Sequence, residues 1–108
     1  MKLHESFEWG EDKAETNDNK HQVTFEDAAY VLADEEGDVY HVEEFDEEHS
    51  DEEDRYRTTA SHPDDRSIVL RIAWKDVSSK LGNVTRLISA RAATPKEVAK
   101  YVEEINAR

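Results

Sequence analysis

Arg86-Leu87-Ile88-Ser89-Ala90-Arg91-Ala92-Ala93-Thr94-Pro95-Lys96-Glu97 reads as a strand that leaves its sheet and turns directly into a capped helix. Asn83 to Ala90 carries the strand. Thr94 offers a side-chain oxygen to the first free amides, Pro95 suits the first helical position, and Glu97 completes a capping box. Beyond it Val98, Tyr101, Val102 and Ile105 recur at helical spacing and give the C-terminal helix one apolar stripe.

Upstream the pattern is that of strands. Ser67 to Lys75 alternates cleanly, placing Ile68, Leu70, Ile72 and Trp74 on one face, which is expected to lie against helices. His62-Pro63-Asp64-Asp65 marks a turn before it, and Val77 to Gly82 a turn after it. Arg55 to Ala60 and Val39-Tyr40-His41-Val42 are shorter strand candidates. Towards the N-terminus the period changes. Thr24-Phe25-Glu26-Asp27 has the form of a helix cap, followed by Phe25, Ala28, Ala29 and Leu32 at i, i+3, i+4 and i+7. An earlier helix from Glu11 to Lys20 has only Ala14 as an apolar member, so it must be held by docking, through Phe7 and Trp9. Helices and strands that come in runs rather than alternating indicate an α+β fold. The expectation is two N-terminal helices, a three- to four-stranded antiparallel sheet and a C-terminal helix in a single domain over residues 1–108.

Charge divides the chain. Residues 1–54 hold three lysines and no arginine against 21 acids, whereas residues 55–108 hold eleven Lys and Arg against six acids. The net charge is -13. Any contact with a polyanion therefore falls to the second half, where every arginine lies. Residues 34–54 contain 13 acids, and Glu43 to Asp54 is expected to be a solvated loop anchored only by Phe45. The chain has no cysteine, which excludes disulfides and cysteine-ligated zinc. The five histidines show no regular ligand spacing, the three glycines form no phosphate loop, and no window approaches a membrane span. Met1 to Glu5 lacks the apolar run of a signal peptide, so a cytoplasmic location without cofactor, metal or membrane partner is expected.

Two groups of residues could carry chemistry. Lys13, Asn17, Lys20 and His21 share one helical face, a stripe able to hold a phosphate and exchange a proton, although a helix this polar shows such groups on every face. Arg55 and Arg57 share a strand face. Arg86 and Arg91 are five apart, so an unbroken strand would point them to opposite faces, and they can serve one cleft only if the strand ends or bulges between them.

Phe7-Glu8-Trp9, Lys13, Asn17, Lys20-His21, Val23, Phe25-Glu26 and Ala28 together resemble the opening signature of the BrnT toxin family. Glu53-Asp54-Arg55-Tyr56 is similar to that family's central acidic-Arg-aromatic element, and Arg86 to Ala93, with Glu97 and Tyr101, resembles its closing strand and helix. Two positions depart from the pattern: Gln22 stands where the family usually has Gly after the Lys-His doublet, and Ala60 where the central strand usually ends on Gly. The resemblance implies a RelE-like α+β fold and a ribonuclease toxin of a type II toxin–antitoxin pair. It implies inhibition of translation by metal-independent RNA cleavage, with Lys20, His21, Arg55, Arg86 and Arg91 as catalytic candidates. The implied partners are an RNA substrate and a ribbon-helix-helix antitoxin of the BrnA kind, with DNA contacted only through that antitoxin. The alternative is a catalytically inactive protein on the same fold, whose acidic half recognises a basic partner.

Overall fold

The computed structural model describes residues 2–4, 7–34, 40–47, 54–79 and 82–108. In chain order the elements are β1 (Lys2–His4), β2 (Phe7–Trp9), α1 (Glu11–His21), α2 (Phe25–Leu32), β3 (His41–Phe45), β4 (Arg55–His62), β5 (Asp65–Ser79), β6 (Gly82–Ala92) and α3 (Pro95–Asn106). The fold is α+β, with both N-terminal helices and the C-terminal helix where the periodicity puts them. The sheet corrects the expectation: among the described residues it has six strands, in the order β1-β2-β6-β5-β4-β3. It is mixed, because β2 runs parallel to β6 through the pairs Phe7↔Thr85 and Glu8↔Arg86. Three-residue strands carry no readable period, and this pairing joins residues 78 apart in sequence, so only long-range packing reveals it.

The described part of the acidic segment also differs from a plain loop. Glu43 to Phe45 belong to β3, which pairs with β4 from His41↔Ala60 to Phe45↔Tyr56. Phe45 rests edge-on against Tyr56 at 5.6 Å, which accounts for strand rather than solvated coil at this point. Residues 48–53 and Val39 lie outside the described residues. The turn expected at 77–82 is narrower, since β5 and β6 stay paired as far as Ser79↔Gly82, with Gly82 at φ 111.

The core sits between the sheet and α1 with α2. Trp9, Phe25, Ala28, Ala29, Val31, Ala60, Leu70, Ile72, Leu87 and Ala90 form one buried cluster. Trp9 is fully enclosed and meets Phe25 edge-to-face at 5.9 Å. Leu70 and Ile72 are buried as the alternation predicts and Trp74 packs beside them, but Ile68, near the Pro63-Asp64 turn, is 45% exposed. Thr24 caps α2 by accepting from the Asp27 amide, and both halves of the Thr94–Glu97 capping box are present at α3.

α1, almost without apolar residues, is held by Asn17. The Asn17 Nδ2 donates to Ala90 O at 2.9 Å and to Val23 O at 2.8 Å, while its Oδ1 accepts from Ala90 N at 2.9 Å. This is the two-bond exchange a neighbouring strand would make. Past the short β2, the edge of β6 is therefore satisfied by one side chain. Asn17, read from sequence as part of a functional polar stripe, is a buried structural residue. The helix ends at Gln22, whose φ of 59 and ψ of 31 put it in the left-handed region. A glycine is the residue best suited to that conformation.

Candidate active site

The register of the sheet shows how its second face is assembled. β5 and β6 pair Ala73 with Ser89 but Trp74 with Leu87, so Ile88 is an extra residue on β6. This bulge resets the alternation: Leu87 and Ala90, three apart, both enter the core. Their neighbours Arg86 and Arg91 consequently point away from it on the same face. The condition set by the five-residue spacing is met by a bulge inside the strand, which runs on to Ala92.

Cross-strand pairs then gather the cations in rows. Arg55↔Lys75 and Lys75↔Arg86 form one row, continued by Glu8 on β2. Thr59↔Arg71 and Arg71↔Arg91 form another. Between them lies Glu44↔Arg57↔Ala73↔Ser89. The outer rows are four residues apart along β5, about 13 Å at strand rise. Arg55 and Arg86 are thus neighbours through Lys75, and Arg91 belongs to the opposite end of the face. Lys20 and His21 sit one helical turn beyond Asn17, which ties α1 to the β6 edge at Ala90, the residue before Arg91; α1 itself packs on the core side of the sheet, opposite the face that carries Arg91. Lys20 is exposed and His21 half-buried.

Three residues of this face were not singled out from sequence: Lys75, Arg71 and, as a member of the site, Arg57. The signal for the first two was the same alternation that identified Leu70, Ile72 and Trp74, read for the opposite face. Arg57 has a buried Nε with no hydrogen-bond partner among the described residues.

Carboxylates meet several of these cations. The Arg86 Nη1 lies 3.1 Å from the Glu8 Oε1, a pair with little solvent access. Arg91 makes a fork-to-fork pair with Glu97, at 2.7 Å and 2.9 Å. The same carboxylate takes the Arg71 Nε at 3.0 Å. The Arg91 guanidinium, then desolvation acting the other way, then the Thr94 amide set the Glu97 carboxyl, which falls from its ordinary 4.5 to about 2. Arg91 is correspondingly pushed up, first by its hydrogen bonds to Glu97. A separate cavity of about 530 Å³ lies on the helix side, bounded by Phe7, Leu32, His41, Glu43, Thr58 and Trp74. None of the five candidate residues lines it.

Fold and face together define a small α+β protein with α1 and α2 packed on one side of a sheet, and α3 beside a polyanion-compatible basic array on the other. The chain belongs to the family described as ribonuclease toxin, BrnT, of type II toxin–antitoxin system, whose model matches residues 9–97. The match begins at Trp9 and ends at Glu97, and so spans β6 and the basic face. A search of curated proteins finds no match to the chain. Family membership implies an RNA target and an antitoxin partner. No helix among the described residues is long and apolar enough to cross a membrane.

Proposed function

We propose that this protein is a metal-independent endoribonuclease toxin that inhibits translation, with RNA lying along the basic face of the sheet. The observation that supports this most is the bulge at Ile88, which puts Arg86 and Arg91 on one face with Arg55, Lys75 and Arg71. RNA carries its own nucleophile, the 2′-hydroxyl, which attacks the adjacent phosphorus in line and expels the 5′-oxygen. The protein's share is to orient the backbone, move two protons and stabilise charge on the phosphorane. Arg55 and Arg86 suit the last task, because a guanidinium fork can engage two phosphate oxygens. His21 is the candidate for proton exchange, as the residue type most often used for general acid–base work, with Lys20 beside it at the end of α1. The partner in this reading is a ribbon-helix-helix antitoxin whose acidic segment covers the basic face while its DNA-binding module stays free. Such charge-assisted contacts are short and directional.

A second reading is supported by Glu8, Glu44 and Glu97, which lie within 4 Å of Arg86, Arg71 and Arg91 and offset part of the positive charge. It is a non-catalytic protein on this fold that binds a basic partner through its acidic half. Cleavage of a generic RNA in the presence of EDTA separates the two. The toxin reading expects cleavage by the purified chain and growth arrest on expression, both lost in the Arg55→Ala, Arg86→Ala double variant. A folded wild-type chain that neither cuts RNA nor arrests growth would leave the binding protein standing.

A further inference from the structure

The carboxylate of Glu97 is more thoroughly coordinated than a helix cap requires. It receives both Nη groups of Arg91, the Nε of Arg71 and the backbone amide of Thr94, at 2.7, 2.9, 3.0 and 2.9 Å. Its two oxygens occupy the positions that two non-bridging phosphate oxygens would take between two guanidinium groups at a helix N-terminus. The surroundings extend the same chemistry. A cavity of about 220 Å³ adjoins the pair between α3 and the sheet, and Arg71, Lys96 and Lys100 line it. Glu44 and Glu104 are the other carboxylates on its wall. Arg71 is held from behind by Thr59, whose Oγ1 accepts from its Nη1 at 2.9 Å, so the guanidinium stays in place if Glu97 leaves. Side-chain exposure is graded: Arg71 13%, Glu97 23%, Arg91 36%. An arriving anion therefore meets Arg91 first.

From this we infer that Arg71 and Arg91 form a phosphate-binding subsite of the RNA face, and that Glu97 is its built-in competitor, holding the subsite closed until a phosphodiester displaces the carboxylate. Displacement asks only for a rotation of the Glu97 side chain towards solvent. The Thr94 hydroxyl still accepts from the Glu97 amide at 3.2 Å, so α3 keeps half of its cap. The subsite lies about 13 Å from the Arg55–Lys75–Arg86 row, far enough to hold a different phosphate of the same strand. Occupation of the Arg71–Arg91 subsite would thus commit a longer RNA and leave a short one weakly held. The RNA part of this inference rests on the ribonuclease reading; the anion site does not.

The test exploits the tolerance of a capping box for glutamine. Glu97→Gln keeps the cap geometry and removes the charge that competes with phosphate. Binding of a 2′-O-methyl oligonucleotide, which cannot be cut, is measured over a range of salt concentrations. Binding of inorganic phosphate is followed by the side-chain Nε–H resonances of Arg71 and Arg91. Glu97→Gln is expected to bind the oligonucleotide about tenfold more tightly, the scale of one added ionic contact. Its salt dependence should steepen by about 0.7 in log–log slope, the increment for one more phosphate on a single strand. Both gains should vanish when Arg71→Ala is added. Thr94→Ala, which weakens the cap and leaves the carboxylate, should change stability but neither binding constant nor slope. If folded Glu97→Gln binds phosphate and oligonucleotide no better than wild type, Glu97 is a structural cap and the inference falls, whether or not the wild type cleaves RNA. If Glu97→Gln takes up phosphate at the two arginines while no form binds RNA, the anion site stands and the ribonuclease reading fails.

Discussion

The two faces of the central strands are made from alternate residues of the same segments and could hardly differ more. On the side of α1 and α2, Leu70, Ile72, Leu87 and Ala90 are closed off under Trp9 and Phe25. On the other side Arg71, Lys75, Arg86 and Arg91 remain partly open to solvent. The first face holds the fold together by excluding water, and each residue there is constrained by its neighbours' volume. The second face offsets much of its charge internally, through Glu8, Glu44 and Glu97, and α3 covers one end of it, where Val42, Thr59 and Tyr101 are buried. A family scaffold with an overall charge of -13 can thereby keep a local array suited to phosphate. Local placement, rather than net charge, decides what such a face can hold.

The contrast depends on the residue that keeps the two faces in phase. Deleting Ile88 would remove the bulge and shift one flank of β6 by one position relative to the other, driving Arg91 towards the core or Ala90 out of it. Among the changes considered, this should be the most damaging, above about 4 kcal/mol, and loss of a cooperative thermal transition would show it. A stable Ile88 deletion with wild-type activity would mean that the bulge does not organise the site. Trp9→Ala breaks the core under α1 and α2 alone. It should cost about 3–5 kcal/mol in urea unfolding, the range for emptying a buried aromatic site.

The basic side is sharpened by Arg86→Ala. Loss of a transition-state donor should lower cleavage about 10²–10³-fold, roughly 2.7–4 kcal/mol, and Arg86→Lys should recover part of it. Because Glu8 is nearly buried beside Arg86, the variant is best compared with Glu8→Gln, Arg86→Ala, which leaves no lone carboxylate there. Equal cleavage by folded wild type and both variants would place the chemistry elsewhere.

Acid should separate the faces next. Glu97 has a carboxyl depressed from 4.5 to about 2, so its contribution is complete above the unfolded value and is lost as pH falls from about 4.5 to about 2. Wild type should lose stability across that window relative to Glu97→Gln, with the difference between them shrinking as the pH drops. A constant difference would show that the Arg91 and Arg71 contacts contribute nothing net. The smallest effect concerns the helix end. Gln22→Gly should stabilise by about 1 kcal/mol, since a left-handed residue with a side chain costs about that much. A destabilised Gln22→Gly variant would mean that the Gln22 side chain makes a contact that outweighs its backbone strain.

Much of the fold was legible because its signals are local. The helix cap at Thr24, the capping box at Thr94, a period of 3.6 in α2 and α3 and the alternation of Ser67 to Lys75 all arise within a few residues of one another. The candidate arginines were legible as residue types in family order. What was not legible depends on partners distant in the chain. The pairing of Phe7-Glu8-Trp9 with β6, the role of Asn17 as a substitute strand and the strand character of Glu43 to Phe45 all rest on contacts that no local pattern encodes. The same is true of the site. Sequence determined that Arg86 and Arg91 could share a face only through a break or a bulge, because side chains alternate with period two. Only the tertiary structure decided that the bulge falls at Ile88, since the core accepts both Leu87 and Ala90 and the strand must slip by one residue to bury them.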